Sequence, residues 1–195
     1  MPIADRAHLP TTVTSTALGQ IAGYPVGAAR QPGYDARDAR GDRPAAKIRA
    51  AHEGPDELLK RGLAELNQGR FEPARQLFLD ALALDAHRAE AYNGVGVTFY
   101  ARSDFDEALA WYKRALEANP SLGDAYYNIA CIYSREGKKP LAFRYLRLAA
   151  LNHYTQREQM QRDPDLAPLQ GEPQMAELLT QMSTAVAAPA AGAHR

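Results

Sequence analysis

Small residues recur every 34 positions between residues 55 and 156, and they set the register of everything else in that stretch. Gly62, Gly96 and Ala130 share one offset, Ala74, Ala108 and Ala142 a second, and Ala81, Ala115 and Ala149 a third. Between them the apolar positions follow helical spacing rather than alternation, so each unit predicts two helices joined by a turn. Helices of about a dozen residues are marginal alone. Stacking the pairs covers each unit's apolar face with the next, and the expected product is a solenoid.

Punctuation places the helices. In the first unit Pro55, Asp56 and Glu57 mark a helix start, the helix runs to about Asn67, Gly69 permits a turn, and a second helix begins near Glu72 with Pro73 in its first turn. In the second unit Asp104 is expected to cap a helix, with Glu107 reaching back in a capping box, and Pro120 ends that helix after Asn119. The third unit predicts a helix from Asp124, a turn at Gly137, and a helix from about Lys139 to Leu151. The small positions allow close helix approach, and Tyr92, Tyr126, Phe99, Tyr133, Phe78, Tyr112 and Leu146 are expected to fill the spaces between, as core rather than as a cofactor box.

These residues resemble the tetratricopeptide repeat (TPR). The resemblance covers residues 55 to about 154. It is strongest in AEAYNGVGVTFYARSDFDEALAWYKRALEANP, good in DAYYNIACIYSREGKKPLAFRYLRLAALN, and looser in the first unit. There Arg61, Glu65 and Ala86 replace the Val95, Phe99 and Pro120 of the next repeat, which fits a unit whose outer side meets solvent. The implied architecture is all-α: a right-handed α-solenoid of repeats 55–88, 89–122 and 123–156, then capping helices over 157–183. HYTQREQMQRDPDLAPLQGEPQMAELLTQM resembles the closing segment of some TPR arrays. Asp163 before Pro164 suits a helix start, and Met175, Leu178, Leu179 and Met182 share one face, expected to cover the open end of the third repeat.

Residues 1–50 and 184–195 read as disordered tails, because Pro and Gly interrupt any period there. No Asp, Glu, Lys or Arg lies between Arg6 and Arg30, but that stretch is too rich in Thr, Ser, Gly and Pro for the apolar core of a secretory signal. A cytoplasmic location is therefore expected, with export left open. Lys+Arg and Asp+Glu are both 23, so no net field favours nucleic acid or an anionic membrane.

Candidate chemistry is sparse. The histidines are scattered without metal-ligand spacing, so neither a metal nor a cofactor is expected. Asp163 and Asp165 flank Pro164, and helix capping explains them better than a magnesium site. Cys131, the lone cysteine, sits in an apolar run with no base nearby and is read as structural or groove-lining rather than nucleophilic. The chain is accordingly not expected to be an enzyme.

What remains is the concave face, which the resemblance assigns to the first helix of each pair. The positions expected to be exposed there are Leu59, Lys60, Leu63 and Asn67 in the first repeat. Asn93, Gly94, Val97 and Ala101 follow in the second, and Tyr127, Asn128, Cys131 and Arg135 in the third. Leu59, Leu63 and Asp124 stand where the chaperone-tail-binding members of the family need Lys and Asn, so Hsp70 or Hsp90 tails are disfavoured. Asn93 and Asn128 carry amides able to satisfy a peptide backbone. The function expected is a protein–protein interaction module, an adaptor or chaperone, that takes a peptide segment or helix of another protein in this groove. The alternatives are a self-assembling scaffold and a regulatory subunit of an enzyme complex.

Overall fold

The computed structural model describes residues 53–187, all of whose regular elements are helical. Helices α1 (Pro55–Asn67) and α2 (Phe71–Leu84) form the first pair, α3 (Ala89–Tyr100) and α4 (Phe105–Ala118) the second, α5 (Gly123–Arg135) and α6 (Lys139–Leu151) the third. A six-residue helix α7 (Arg157–Arg162), a 3₁₀ segment (Pro164–Leu169) and α8 (Pro173–Ala187) complete the chain. The N-terminal tail assigned to 1–50 lies outside the described residues, as does the last part of the C-terminal tail; α8 itself continues past residue 184 to Ala187.

The 34-residue register of small residues is the register of helix packing. Ala74, Ala81, Ala108, Ala115, Ala130, Ala142 and Ala149 are fully buried. At Gly62 a β-carbon would lie 2.6 Å from the Phe78 ring, and at Gly96 one would lie 2.5 Å from the Tyr112 ring. Phe78, Tyr112 and Leu146, themselves 34 apart, are each at most 1 % exposed. Phe78 also abuts Gly94 of the next repeat, where a β-carbon would come within 2.7 Å, so one ring spans two repeats. Tyr92 and Phe99 flank Trp111 with centroids 6.0 and 6.5 Å away, and Tyr126 and Tyr133 flank Tyr145 at 6.4 and 5.3 Å. The first-repeat departures stay at the surface, Arg61 pairing with Glu53 and Glu65 with Arg70.

Each pair is closed by the same turn. Gly69 (φ 70°), Ser103 (φ 63°) and Gly137 (φ 72°) adopt the left-handed conformation at 34-residue spacing. In each, the amide of the following residue donates to the carbonyl five residues back: Arg70 to Glu65 (2.9 Å), Asp104 to Phe99 (3.1 Å) and Lys138 to Tyr133 (2.8 Å). The capping box expected at Asp104 and Glu107 does not form. Asp104 caps no amide with its side chain, and its carboxylate instead faces Arg102 at 3.5 Å.

Repetition stops at residue 153. The first two pairs end on extended residues, Asp85 (φ −143°, ψ 98°) and Asn119 (φ −143°, ψ 97°), which lead into the next repeat. His153, at the equivalent place, is left-handed (φ 66°) and turns the chain back across the start of α5. Gly123 makes room there: a β-carbon would lie 2.4 Å from the Asn152 carbonyl oxygen and 2.8 Å from the Tyr154 nitrogen. The equivalent residue of the second repeat is Ala89.

Gly96→Ala tests the close approach. Alanine is the better helix former by about 1 kcal/mol, but the new methyl group meets the Tyr112 ring at a cost on the order of 1–3 kcal/mol. A lowered melting temperature is expected, while Gly171→Ala, with open space around its β-carbon, should melt like the parent. Equal melting of Gly96→Ala and the parent would show that this contact does not hold the second repeat together.

Candidate functional site

The first helices α1, α3 and α5 contact one another in sequence and form the inner wall of the array. Its third-repeat end is not open. The 3₁₀ segment Pro164–Leu169 packs against α5, and Leu166 and Leu169 are fully buried beneath it. The expected exposure of most groove positions is overturned: Asn93 and Tyr127 are fully buried, Val97 and Cys131 2 % exposed, and Asn128 6 % exposed. Gly94 is buried as well, and Ala101 is half-buried. The first-repeat residues differ. Lys60 is exposed and Leu59, Leu63 and Asn67 are half-buried, so the inner wall keeps an accessible end at α1.

Two carboxylates hold the segment down. Asp163 accepts hydrogen bonds from the Tyr127 hydroxyl on one oxygen and from the Asp165 amide on the other (2.9 Å), with the Cys131 thiol 3.9 Å from the first oxygen. Asp165 accepts from the Tyr100 hydroxyl and faces Arg135, whose Nη1 lies 3.6 Å from its Oδ1. The Arg135 guanidinium lies over Phe105 (5.0 Å) and Tyr100 (5.6 Å). Tyr127 is fixed from its other side by stacking on Tyr154 at 4.3 Å. The sequence reading of Asp163 as a cap is right for one oxygen only. Its other oxygen serves the tertiary contact, a role that its place before Pro164 does not reveal.

Tyr100 belongs to the site although its sequence position gave no sign of it. It ends α3, one residue before Ala101, and only the returning segment gives its hydroxyl an acceptor. Beside these groups Asn128 donates to Asn93 Oδ1 at 3.0 Å, leaving the buried Asn93 Nδ2 without a partner.

Electrostatically the pocket disfavours charge. Burial pushes the Asp163 carboxyl up to about 6, opposed by the hydrogen bonds from Tyr127 and the Asp165 amide, while the nearby Asp165 charge adds to the rise. Burial also raises the Tyr127 and Tyr100 hydroxyls, so both remain protonated donors. The Cys131 thiol is pushed well up by burial and by the two carboxylates, which opposes the thiolate a nucleophile requires. Among the described residues no group of three His, Cys, Asp or Glu is placed to hold a metal ion.

The far end is closed by α8, which packs on α6 with Met175, Leu178, Leu179 and Met182 buried. Lys139 pairs with Glu172 (2.6 Å), and Arg157 donates to the Leu179 carbonyl (3.0 Å). A concavity of about 550 Å³ remains between α6 and α8, lined by Leu151, Tyr154, Leu178 and Met182 and rimmed by Arg147, Arg157 and Glu158.

A raised carboxyl pKa in the folded state stabilises the fold fully below the unfolded value, near 4, and that contribution is lost as pH rises through about 6. Urea unfolding at about pH 5 and about pH 7 should therefore show the parent losing more stability with rising pH than Asp163→Asn, by on the order of 1–2 kcal/mol. Asp124, also buried and raised to about 6 beside Glu90, titrates in both proteins and cancels from the difference. An identical pH dependence in the two proteins would mean that Asp163 ionises as freely as in the unfolded chain.

Comparison with known proteins agrees with the geometry. Tetratricopeptide-repeat family models match residues 59–123 and 111–144. Cellulose synthase 1 operon protein C of Komagataeibacter xylinus is 32% identical over 65 residues, 33% of this chain and 5% of that protein. Photosystem I assembly protein Ycf3 of Prochlorococcus marinus is 28% identical over 82 residues, 40% of this chain and 47% of that protein. The chain thus spans less than half the length of either relative. The solved structure of MamA superposes with a TM-score of 0.53 at 20% identity, covering 73% of this chain and 84% of that one, and so shares its fold. With its 34-residue helix pairs, its small-residue register and these matches, residues 59–144 of the chain form tetratricopeptide repeats.

Proposed function

We propose that this protein is a non-enzymatic interaction module, an adaptor or chaperone, whose inner face holds a peptide segment or helix of another protein. One observation carries the reading. The inner wall already binds such a segment, its own residues 163–169, through side chains drawn from two neighbouring repeats, Tyr100 at the end of α3 and Tyr127 and Arg135 on α5. A wall that recognises a short turn by two carboxylates and two buried leucines has the chemistry of peptide recognition. The relative named for photosystem I assembly favours the same class of role, as does the absence of an activated nucleophile at Cys131. The accessible end at Leu59, Lys60, Leu63 and Asn67 continues the wall beyond the bound segment and is where a partner would first make contact.

The test is partner capture from the native cells, followed by calorimetric titration of the captured protein against variants. Leu59→Ala with Lys60→Ala should weaken binding by about 1–2 kcal/mol while lowering the melting temperature only modestly, because Lys60 is exposed and Leu59 only half-buried against the core. Lys113→Ala on α4, exposed on the second-helix side, should bind like the parent. If Leu151→Asp at the far concavity removes the partner while Leu59→Ala/Lys60→Ala does not, the binding site is the α6–α8 end and the inner-wall reading is wrong.

A further inference from the structure

The inner wall treats residues 163–169 as a ligand. The segment is a 3₁₀ turn containing Pro168, and its backbone hydrogen bonds are local: Asp163 to Gln159 (2.9 Å), Leu166 to Asp163 (3.1 Å), Gln170 to Ala167 (3.3 Å) and Glu172 to Leu169 (3.0 Å). Its hold on the array is through side chains, Asp163 on Tyr127, Asp165 on Tyr100 and Arg135, and the buried Leu166 and Leu169. Such contacts depend on the spacing Asp-Pro-Asp-Leu and not on continuity with α6 or α8.

Building on the inner-face reading above, we infer that this wall is a clamp for an acidic Asp-x-Asp-Leu segment of a partner protein, which binds by displacing the chain's own Asp163–Leu169. The placement of two hydroxyl donors and one guanidinium sets the occupant. Two neutral tyrosine hydroxyls and one guanidinium converge on two carboxylates two residues apart, an arrangement that basic or purely apolar peptides leave unsatisfied. The bound state also leaves one group unsatisfied: the buried Asn93 Nδ2 lacks an acceptor. A partner peptide carbonyl beside Asn93 would satisfy it, so the intramolecular segment is a fair competitor rather than an unbeatable one.

The probe is a fluorescent peptide of residues 160–172, MQRDPDLAPLQGE, titrated by polarisation against the full chain. The tethered segment competes at an effective concentration of about millimolar, so the parent should bind the peptide weakly. The variant Asp163→Asn/Asp165→Asn, which weakens only the competitor, should bind it at least about tenfold more tightly, and adding Arg135→Ala or Tyr127→Phe should reverse most of that gain. A probe with both aspartates replaced by asparagine should not bind. The inference fails if the folded double variant binds no better than the parent, if both probes bind equally, or if light scattering shows the variant pairing with a second copy instead. Should the variant not fold, hydrogen exchange on the parent decides. Amides 165–170 exchanging at least about a hundredfold faster than those of α5 support a displaceable segment, and equal rates overturn it. Failure here leaves the Leu59/Lys60 titration standing, since that experiment concerns the other end of the wall and the captured partner.

Discussion

Close approach of helices at positions too small to keep them apart is the constraint on which this structure depends. Gly62 and Gly96 let the Phe78 and Tyr112 rings lie against helix backbone, and the buried alanines at 74, 108 and 142 and at 81, 115 and 149 repeat the condition in every pair. Because Phe78 touches both Gly62 and Gly94, the contact that closes one pair also fixes the next upon it. The helices are short and poorly capped, none of α1 to α6 having a side-chain cap, so this interlocking supplies what local propensity does not. The same stacking brings α1, α3 and α5 side by side as one continuous wall.

How the array ends decides what that wall does. Two pairs finish on an extended residue that carries the chain forward; the third finishes on left-handed His153, and the chain doubles back. The return is possible because Gly123 stands where the second repeat has alanine. From there Asp163 and Asp165 reach Tyr127, Tyr100 and Arg135, and the leucines of the segment cover what would have been open groove. Burying Asp163 without a cation is a cost, which its raised pKa records, and hydrogen bonds from a hydroxyl and an amide offset only part of it. A contact of that kind gives specificity for carboxylate placement more readily than it gives stability.

The proposed interaction role follows from this arrangement and not from repetition alone. A bare solenoid offers a surface; here a segment of the same chain occupies it, through two carboxylates and two buried leucines. The first-repeat end, with Lys60 exposed and Leu59 and Leu63 half-buried, extends the wall beyond that segment. The concavity at the α6–α8 end is chemically different, apolar at its base and rimmed by both signs of charge.

The helices, their pairing and the packed positions were legible in the residues, because a 34-residue period ties each small or aromatic residue to a contact made within its own repeat or its neighbour. Helix bounds such as Pro55–Asn67 and Lys139–Leu151 coincide with proline, glycine and periodicity signals for the same local reason. The capping box expected at Asp104 did not form, and its carboxylate faces Arg102 instead, a neighbour that spacing alone does not display. The site was only half legible. Tyr127, Cys131 and Arg135 were expected to line an open groove, but the sequence carried no sign that residues about 30 to 36 positions downstream would cover them. Exposure is a property of what lies opposite a side chain. Here it was decided by a left-handed turn at His153 and a missing β-carbon at Gly123, whose consequence appears only when the chain is folded back upon itself.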